Sequence, residues 1–517
     1  MDKKVLYLLV LFLILRICGL NFALPFDGVH PRENFTISHS INYISSLSLK
    51  PYDFQHPTLL QYLLTLFSFI FFLPKFILSK GAFVGEIISY YGVFYIIARI
   101  ISALASSLAV VAIYFAGKSL KNKKTAILAA LFLGFNFLAV KFAHYATPDS
   151  LALLFVSLSL LYGLKSLDEP KLKNIIFCGL FCGFALGSKF SGFIAFGYFF
   201  LAYVFCLKRE KSDFKLVLLP PLSAFLAFFI TSPYHVLRFN EFIRASSKYL
   251  TERGFVGAEG LSLKYLGFYE YPFIFIPVCL GLLTYVFFFI GAGLLAKKEI
   301  KKFILIILPL VIYFLTLGKE SVATARNVLL GLPSLILAVS YFFWWCFSTK
   351  KLQKIAIILI ILALLPQAAK AVVFDYFLLK KDTRVMAKEW IENNIEQGKV
   401  MVFGPYTPLD LNQIGTSELT EKYEASYFSP SLAVYPSSFY REQGVDYIVI
   451  GDVRKKEYEI NCQRENQCEY IENYSAFEED FELVAEFSPP KIFYITAFPE
   501  PWGMWPHNPE VKIYKVD

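Results

Sequence analysis

Residues 94–124 read FYIIARIISALASSLAVVAIYFAGKSLKNKK. The run 94–117 is apolar apart from Arg99 and a few small polar residues, and it ends in the cationic cluster Lys118–Lys124. A helix needs roughly 20 apolar residues to cross a bilayer core. Lys and Arg collect on the cytoplasmic side. One span closed by one inner cluster is therefore the unit in which the whole chain is read.

The unit recurs. Further clusters lie at Lys165–Lys173, Lys208–Lys215, Lys297–Lys302 and Lys350–Lys354. Apolar runs between them fall near 124–142, 150–165, 174–188, 190–207, 215–232, 272–296, 302–317, 327–347 and 354–373. Val5–Leu24 is another, with Lys3 and Lys4 ahead of it. It lacks a small-residue cleavage site, so it reads as a retained first helix rather than a signal peptide. The total is about eleven transmembrane helices in an α-helical polytopic membrane protein.

Thr58–Ser79 is apolar enough to cross but breaks the side count. Crossing alone, it would place Lys118–Lys124 and every later cluster outside. Residues 25–92 are therefore expected to form one outer loop, with 58–79 lying on or re-entering the membrane.

Composition agrees. Of 517 residues 56% are hydrophobic and 18% charged, with mean hydropathy +0.53. Soluble domains sit nearer a quarter charged, and disorder needs low hydrophobicity. The net charge of +9 lies mostly in the short clusters, so it writes topology and does not point to nucleic acid. No phosphate-binding loop of the G-x-x-x-x-G-K-[ST] kind and no dinucleotide fingerprint occurs.

Residues 1–373 are thus expected as the transmembrane domain and 374–517 as a small extracytoplasmic α/β domain. In the latter, Thr383–Ile395 reads as a helix and Lys399–Phe403, Tyr447–Ile450, Ile492–Thr496 and Val511–Tyr514 as strands. Cys462 and Cys468, six apart, are either a bridge suited to an outer compartment or two free thiols. The other six Cys lie in or near spans and read as packing residues.

Two outer loops carry the acids of interest. Glu33 follows Pro31, a residue suited to the first turn of a helix, and Asn34–Ser46 reads as a short interfacial helix. Asp149 opens a later span, where a helix N-terminus favours a carboxylate. Such a pair suits general-base work on a hydroxyl; the plain alternative is two helix-start residues in contact with water. Arg16, Arg99, Lys141, Lys189 and Arg326 fall within apolar runs or at their outer ends. Ionisable groups there are functional candidates by default. An outer-leaflet phosphate would account for them, with Arg as a forked clamp and Lys as a point charge. Snorkelling is the alternative. His30, His56 and His144 lie in outer loops, where a divalent metal site is conceivable, but they lack tight ligand spacing, so a hydrogen-bonding role is expected ahead of metal binding, and no other cofactor. Val236–Leu250 reads as an amphipathic interfacial stretch.

These patterns resemble glycosyltransferase family 39, which includes protein O-mannosyltransferases and aminoarabinose transferases of the GT-C fold. His30-Pro31-Arg32-Glu33 resembles the family's first-loop acidic motif. His56-Pro57-Thr58-Leu59 is similar to its next loop pattern, and Arg99 with its neighbours to a second-span pattern. His144–Asp149 is similar to the second acidic motif, Gly187-Ser188-Lys189-Phe190 to a G-x-[TS]-K-[YF] pattern, and Arg326–Pro333 to an Arg-Tyr-containing stretch in which Asn327 replaces the aromatic. The resemblance implies a polyprenyl-phosphate sugar donor, with a hexose such as mannose, and an inverting transfer to a hydroxyl of a protein, lipid or glycan acceptor. It implies Glu33 as base and Asp149 as orienting acid. Arg32, His56, Arg99, His144, Lys189 and Arg326 are the substrate-binding candidates. Arg32 stands where the family has a first acid, and it either binds donor phosphate or acts on Glu33. A transporter or flippase of lipid-linked sugar is the competing class.

Overall fold

The structure is a computed structural model. It describes all residues except 1–2, 25–30, 79–86, 88–89, 210–213, 256–266, 320–323, 406, 409–416, 429–430, 454, 456–457, 460–467, 490–508 and 517.

The first part of the chain is helical. In order come α1 (Lys3–Ile17), α2 (Pro31–Ser45), α3 (Leu59–Leu78), α4 (Tyr91–Leu120), α5 (Lys123–Gly134), α6 (Phe137–Ala143), α7 (Asp149–Asp168) and α8 (Leu172–Ser188). They are followed by α9 (Ile194–Arg209), α10 (Phe214–Thr231), α11 (Pro233–Leu237), α12 (Phe239–Phe255), α13 (Gly267–Glu270), α14 (Ile276–Leu280), α15 (Leu282–Lys298), α16 (Ile300–Leu317), α17 (Val328–Ser348) and α18 (Gln353–Leu378). Among the described residues eight helices are long and apolar enough to cross a membrane, and up to ten if two bent pairs each count as one. Val5–Ile17 and Leu172–Ser188 are apolar but shorter.

The eleven expected spans all fall on helices, but those at 124–142 and 272–296 are bent pairs and those at 5–24 and 174–188 are short. Leu59–Leu78, expected to lie on or re-enter the membrane, is one unbroken helix, long and apolar enough to cross. Leu60, Leu64 and Phe72 pack inward, while Leu66, Phe67, Ile70 and Phe71 are exposed on the other side. A helix apolar all round belongs in hydrocarbon.

Two bends shape the bundle. The first, of 59°, separates α5 from α6. There the Asn136 side chain accepts from Ala139 N and restarts the helix. The second, of 111°, separates α13–α14 from α15 at Gly281, whose φ of +90° suits glycine alone. Close approach of α8 to α10 rests on Gly179, Gly183 and Gly187. A Cβ at these positions would meet Pro220 O at 2.6 Å, Ala224 O at 2.2 Å and Thr231 Oγ1 at 1.9 Å. Small residues every fourth position let helix backbones touch in a membrane.

Beyond α18, a helix α19 (Thr383–Asn394) is capped by Asp382, which accepts from Arg384 N. A five-stranded sheet follows, ordered β2-β1-β3-β5-β4. Its strands are β1 (Val400–Phe403), β2 (Glu424–Tyr427), β3 (Tyr447–Gly451), β4 (Glu482–Phe487) and β5 (Val511–Lys515). β1 runs parallel to β2 and β3, and β5 antiparallel to β3 and β4. Alternate residues serve two cores. Met401, Phe403 and Val449 face α19, and Val402, Ile448 and Ile450 face Tyr440 and Phe477. The expected strand at 492–496 lies outside the described residues. Cys468 is disulfide-bonded, and Cys462 lies outside the described residues. The six other cysteines are free.

Candidate active site

Glu33 sits in the first turn of α2 and is fully buried. Arg99 of α4 donates to it through Nε (2.9 Å to Oε1) and Nη2 (3.1 Å to Oε2). Ala146 N adds a third bond at 2.8 Å. Arg99 Nη1 donates to the carbonyls of Leu20 and Phe22 at 2.8 and 3.0 Å, and its guanidinium lies 3.8 Å from the Phe22 ring centroid. All three Arg99 nitrogens are thus engaged inside the protein. The pair ties the end of α1, the start of α2, α4 and the 144–149 loop together. Arg99 thus holds Glu33 in place with every guanidinium nitrogen engaged by protein atoms.

Asp149 opens α7 and is likewise fully buried. Lys189 Nζ donates to its Oδ1 at 2.8 Å. Arg326 donates through Nε to Oδ1 and Oδ2 at 2.9 and 3.0 Å and through Nη2 to Oδ2. Lys189 is an extended residue joining α8 to the short turn Phe190–Phe193, and Arg326 lies in the turn Ala325–Asn327 ahead of α17. Three chain reversals far apart in sequence thereby meet. The cation side chains remain 19% and 15% exposed while the acid is at 0%, so the acid stands behind and the cations face out. Arg32 acts electrostatically on Lys189. It also donates to His56 Nε2, whose ring meets Phe35 edge-on at 4.8 Å.

Other expected residues go elsewhere. His144 is buried, with Nδ1 at 2.9 Å from Val140 O, Nε2 at 3.1 Å from Cys18 O, and Asp375 Oδ1 at 3.6 Å. It joins α1 to α18 and does not face the Asp149 cluster. Arg16 is buried too, donating to Ser106 Oγ at 2.9 Å and to Phe12 O and Gly134 O at 3.1 Å. It closes the carbonyl end of α5, which accounts for its charge without a substrate. Lys141 is buried within α6. His30 lies outside the described residues. Among the described residues no His, Cys, Asp and Glu side chains gather as a metal site.

The sequence missed two hydroxyls beside the cluster. Thr147 Oγ1 and Ser191 Oγ, each two residues from a member, are buried and have no hydrogen-bond partner among the described residues. Only proximity to Asp149 and Lys189 in the sequence marks them.

Residues 91–237 match the family model described as dolichyl-phosphate-mannose-protein mannosyltransferase. That stretch contains Arg99, His144, Asp149 and Lys189. No curated protein matches the chain. Among solved structures the chain is similar to ArnT from Cupriavidus metallidurans bound to undecaprenyl phosphate, with TM-score 0.52 and 12% identity over 99% of this chain and 98% of that one. It is similar also to the Archaeoglobus fulgidus oligosaccharyltransferase in the apo form, with TM-score 0.50 and 13% identity over 95% of this chain and 74% of that one. The family match over part of the chain and the shared fold bear out the resemblance read from the motifs: the chain is similar to glycosyltransferase family 39 and has the fold of these two membrane glycosyltransferases.

Proposed function

We propose that the chain transfers a sugar, a hexose such as mannose, from a polyprenyl-phosphate donor to an acceptor hydroxyl with inversion, at the outer face of the membrane. The observation that carries this reading is the buried Asp149 holding Lys189 and Arg326 side by side, both partly open. Two cations thus stand on one acid, and Arg32 acts electrostatically on Lys189. That balance suits a phosphate, and the forked guanidinium and the point-charge ammonium suit its oxygens. The ArnT structure similar to this fold is bound to undecaprenyl phosphate, and the matching family's description names dolichyl-phosphate-mannose. Both support the reading.

In the step, the acceptor oxygen bonds to the anomeric carbon as the bond from that carbon to the phosphate oxygen breaks. The bonding pair leaves on the phosphate, where the cations offset the growing charge. The acceptor proton passes to a carboxylate. Glu33 and Asp149 act here as positioning residues, because their oxygens are held by Arg99 and by Lys189 and Arg326. Asp53 fits the proton acceptor better. It is partly exposed, and its Oδ1 accepts from Gln55 N at 2.7 Å. In this reading residues 374–517 stand on the outer side, beside the acceptor.

The test is turnover of radiolabelled polyprenyl-phosphate hexoses by the full chain in vesicles. Lys189→Ala and Arg326→Ala are expected to raise the donor KM, and Asp53→Asn to lower kcat. Donor turnover unchanged in both cation variants would overturn the reading.

A further inference from the structure

The face of α2 that begins at Arg32 continues through Phe35 to His39, at spacings of three and four residues that keep side chains aligned. Its two turns span about 10 Å. Arg32 marks the end nearest the cation cluster. The other end carries a group of rings that the transfer step leaves unused. Tyr52 is 59% exposed and stacks on His39 with centroids 3.8 Å apart and planes at 21°. Apart from the stack, its Oη meets Ser38 Oγ at 3.2 Å. Under it lie His39 and Tyr43, both buried, with rings 6.0 Å apart. Tyr52, Tyr62 and Tyr234 crowd around Tyr43, and Asp53 acts electrostatically on His39 and Tyr52.

Two buried polar atoms in this group are unsatisfied: His39 Nε2 and Tyr43 Oη have no hydrogen-bond partner among the described residues. His39 Nδ1 lies 2.8 Å from Phe35 O. A carbonyl only accepts, so Nδ1 carries the proton. Burial holds this imidazole below its ordinary range, so the ring is neutral and Nε2 presents a lone pair. An unmet acceptor and an unmet phenol, each costing about 1–3 kcal/mol, persist side by side where a ligand supplies the missing bonds.

We infer that the Tyr52–His39–Tyr43 group, with Asp53 at its rim, is the acceptor subsite and that it takes a sugar ring, making the acceptor a glycan or glycolipid. This rests on the transferase reading above. A hexose offers an apolar face for a tyrosine ring and hydroxyls for an imidazole, a phenol and a carboxylate. Tyr52 is held by little besides its stack, and side-chain rotation off His39 uncovers Nε2 and Tyr43 Oη. A Ser/Thr peptide fits less well. It binds through backbone bonds along a strand edge or a groove, and α2, α3 and the loop between them offer no open strand edge.

The test is saturation-transfer NMR on the full chain in nanodiscs, with methyl glycosides of common hexoses and N-acetylhexosamines set against Ser- and Thr-containing tripeptide amides. At least one glycoside is expected to receive saturation. Tyr52→Ala should weaken it about tenfold, the loss of one ring contact, and Tyr52→Phe should keep it. His39→Leu should weaken it as well. Absence of glycoside binding, with or without peptide binding, overturns the proposal, and so does glycoside binding that ignores both Tyr52→Ala and His39→Leu. Donor turnover is read separately in the vesicle assay. Glycoside binding without donor turnover would sink the transferase reading, while donor turnover without glycoside binding would sink only the subsite.

Discussion

Glu33 and Arg99, 66 residues apart, meet in a bidentate ion pair in which neither side chain is exposed. Removing one partner of such a pair strands the other charge, at a cost of about 3–5 kcal/mol. Arg99→Met and Glu33→Ala should therefore lower the unfolding midpoint in detergent sharply. The double variant should be less damaged than the sum of the singles. If Glu33 is the proton acceptor instead, Glu33→Gln will fold at the wild-type midpoint with transfer lost.

Asp149→Asn removes the charge that holds Lys189 and Arg326 together. The two cations then repel, and the spacing of the phosphate clamp is lost. The donor KM is expected to rise, with steeper sensitivity to added salt. A wild-type donor KM in this variant would show that Asp149 does not organise the clamp.

Gly183 sits where a Cβ would fall 2.2 Å from Ala224 O and 2.7 Å from Ala227 Cβ. Neither obstacle is the end of a flexible side chain, so Gly183→Val must push α10 away from α8. Lys189 follows on the same connection. The expected result is a large loss of folded yield by size-exclusion chromatography, whereas Gly293→Ala, which meets nothing within 4 Å, should be neutral.

Glu478 of the sheet domain is opposed by burial, but hydrogen bonds and charge from Lys455 at 3.0 Å and Lys512 at 3.2 Å outweigh it and hold the carboxyl below the usual range. A lowered folded pKa stabilises above the unfolded value of about 4.3 and is lost as pH falls through the folded one. The side chain is 41% exposed, so the effect is small. Unfolding of the full chain followed from about pH 5 to 3 should show a shallower acid loss in Glu478→Gln.

Single cysteines offer a map of sides. A cysteine at Ser348 should be shielded from an impermeant thiol reagent in cells and one at Ser475 labelled, if the sheet domain stands outside. Cysteines at Ser48 and Tyr91 bracket α3. Labelling of both from outside fits a helix that stays in one leaflet, and labelling of one fits a crossing.

The bundle was legible because a span needs only a run of apolar residues, and its cationic punctuation is local. β1, β3 and β5 were legible because their central residues are buried and apolar. β2 and β4 were missed. They are the two edges of the sheet, with half their residues or more facing out or only partly covered, and so lack an apolar run. The site divides in the same way. A charge in an apolar segment announces itself, which singled out Lys189, Arg326, Arg99 and Arg16. Its partner does not. Asp149 is 40 residues from Lys189 and 177 from Arg326, and nothing local distinguishes a charge that meets substrate from one that, like Arg16, closes a helix end. His39 and Tyr43 carried no signal, since their significance lies in bonds they fail to make.

The Arg16 contact has a consequence for how the chain enters the membrane. Its carbonyl partner Gly134 is 118 residues further along, and synthesis at 5–20 residues per second brings it out roughly 6–24 s later. Until then the arginine in the last turn of α1 lacks its later acceptors and must reach toward the interface for water. The first helix is thus a provisional passenger, secured only when the fifth arrives.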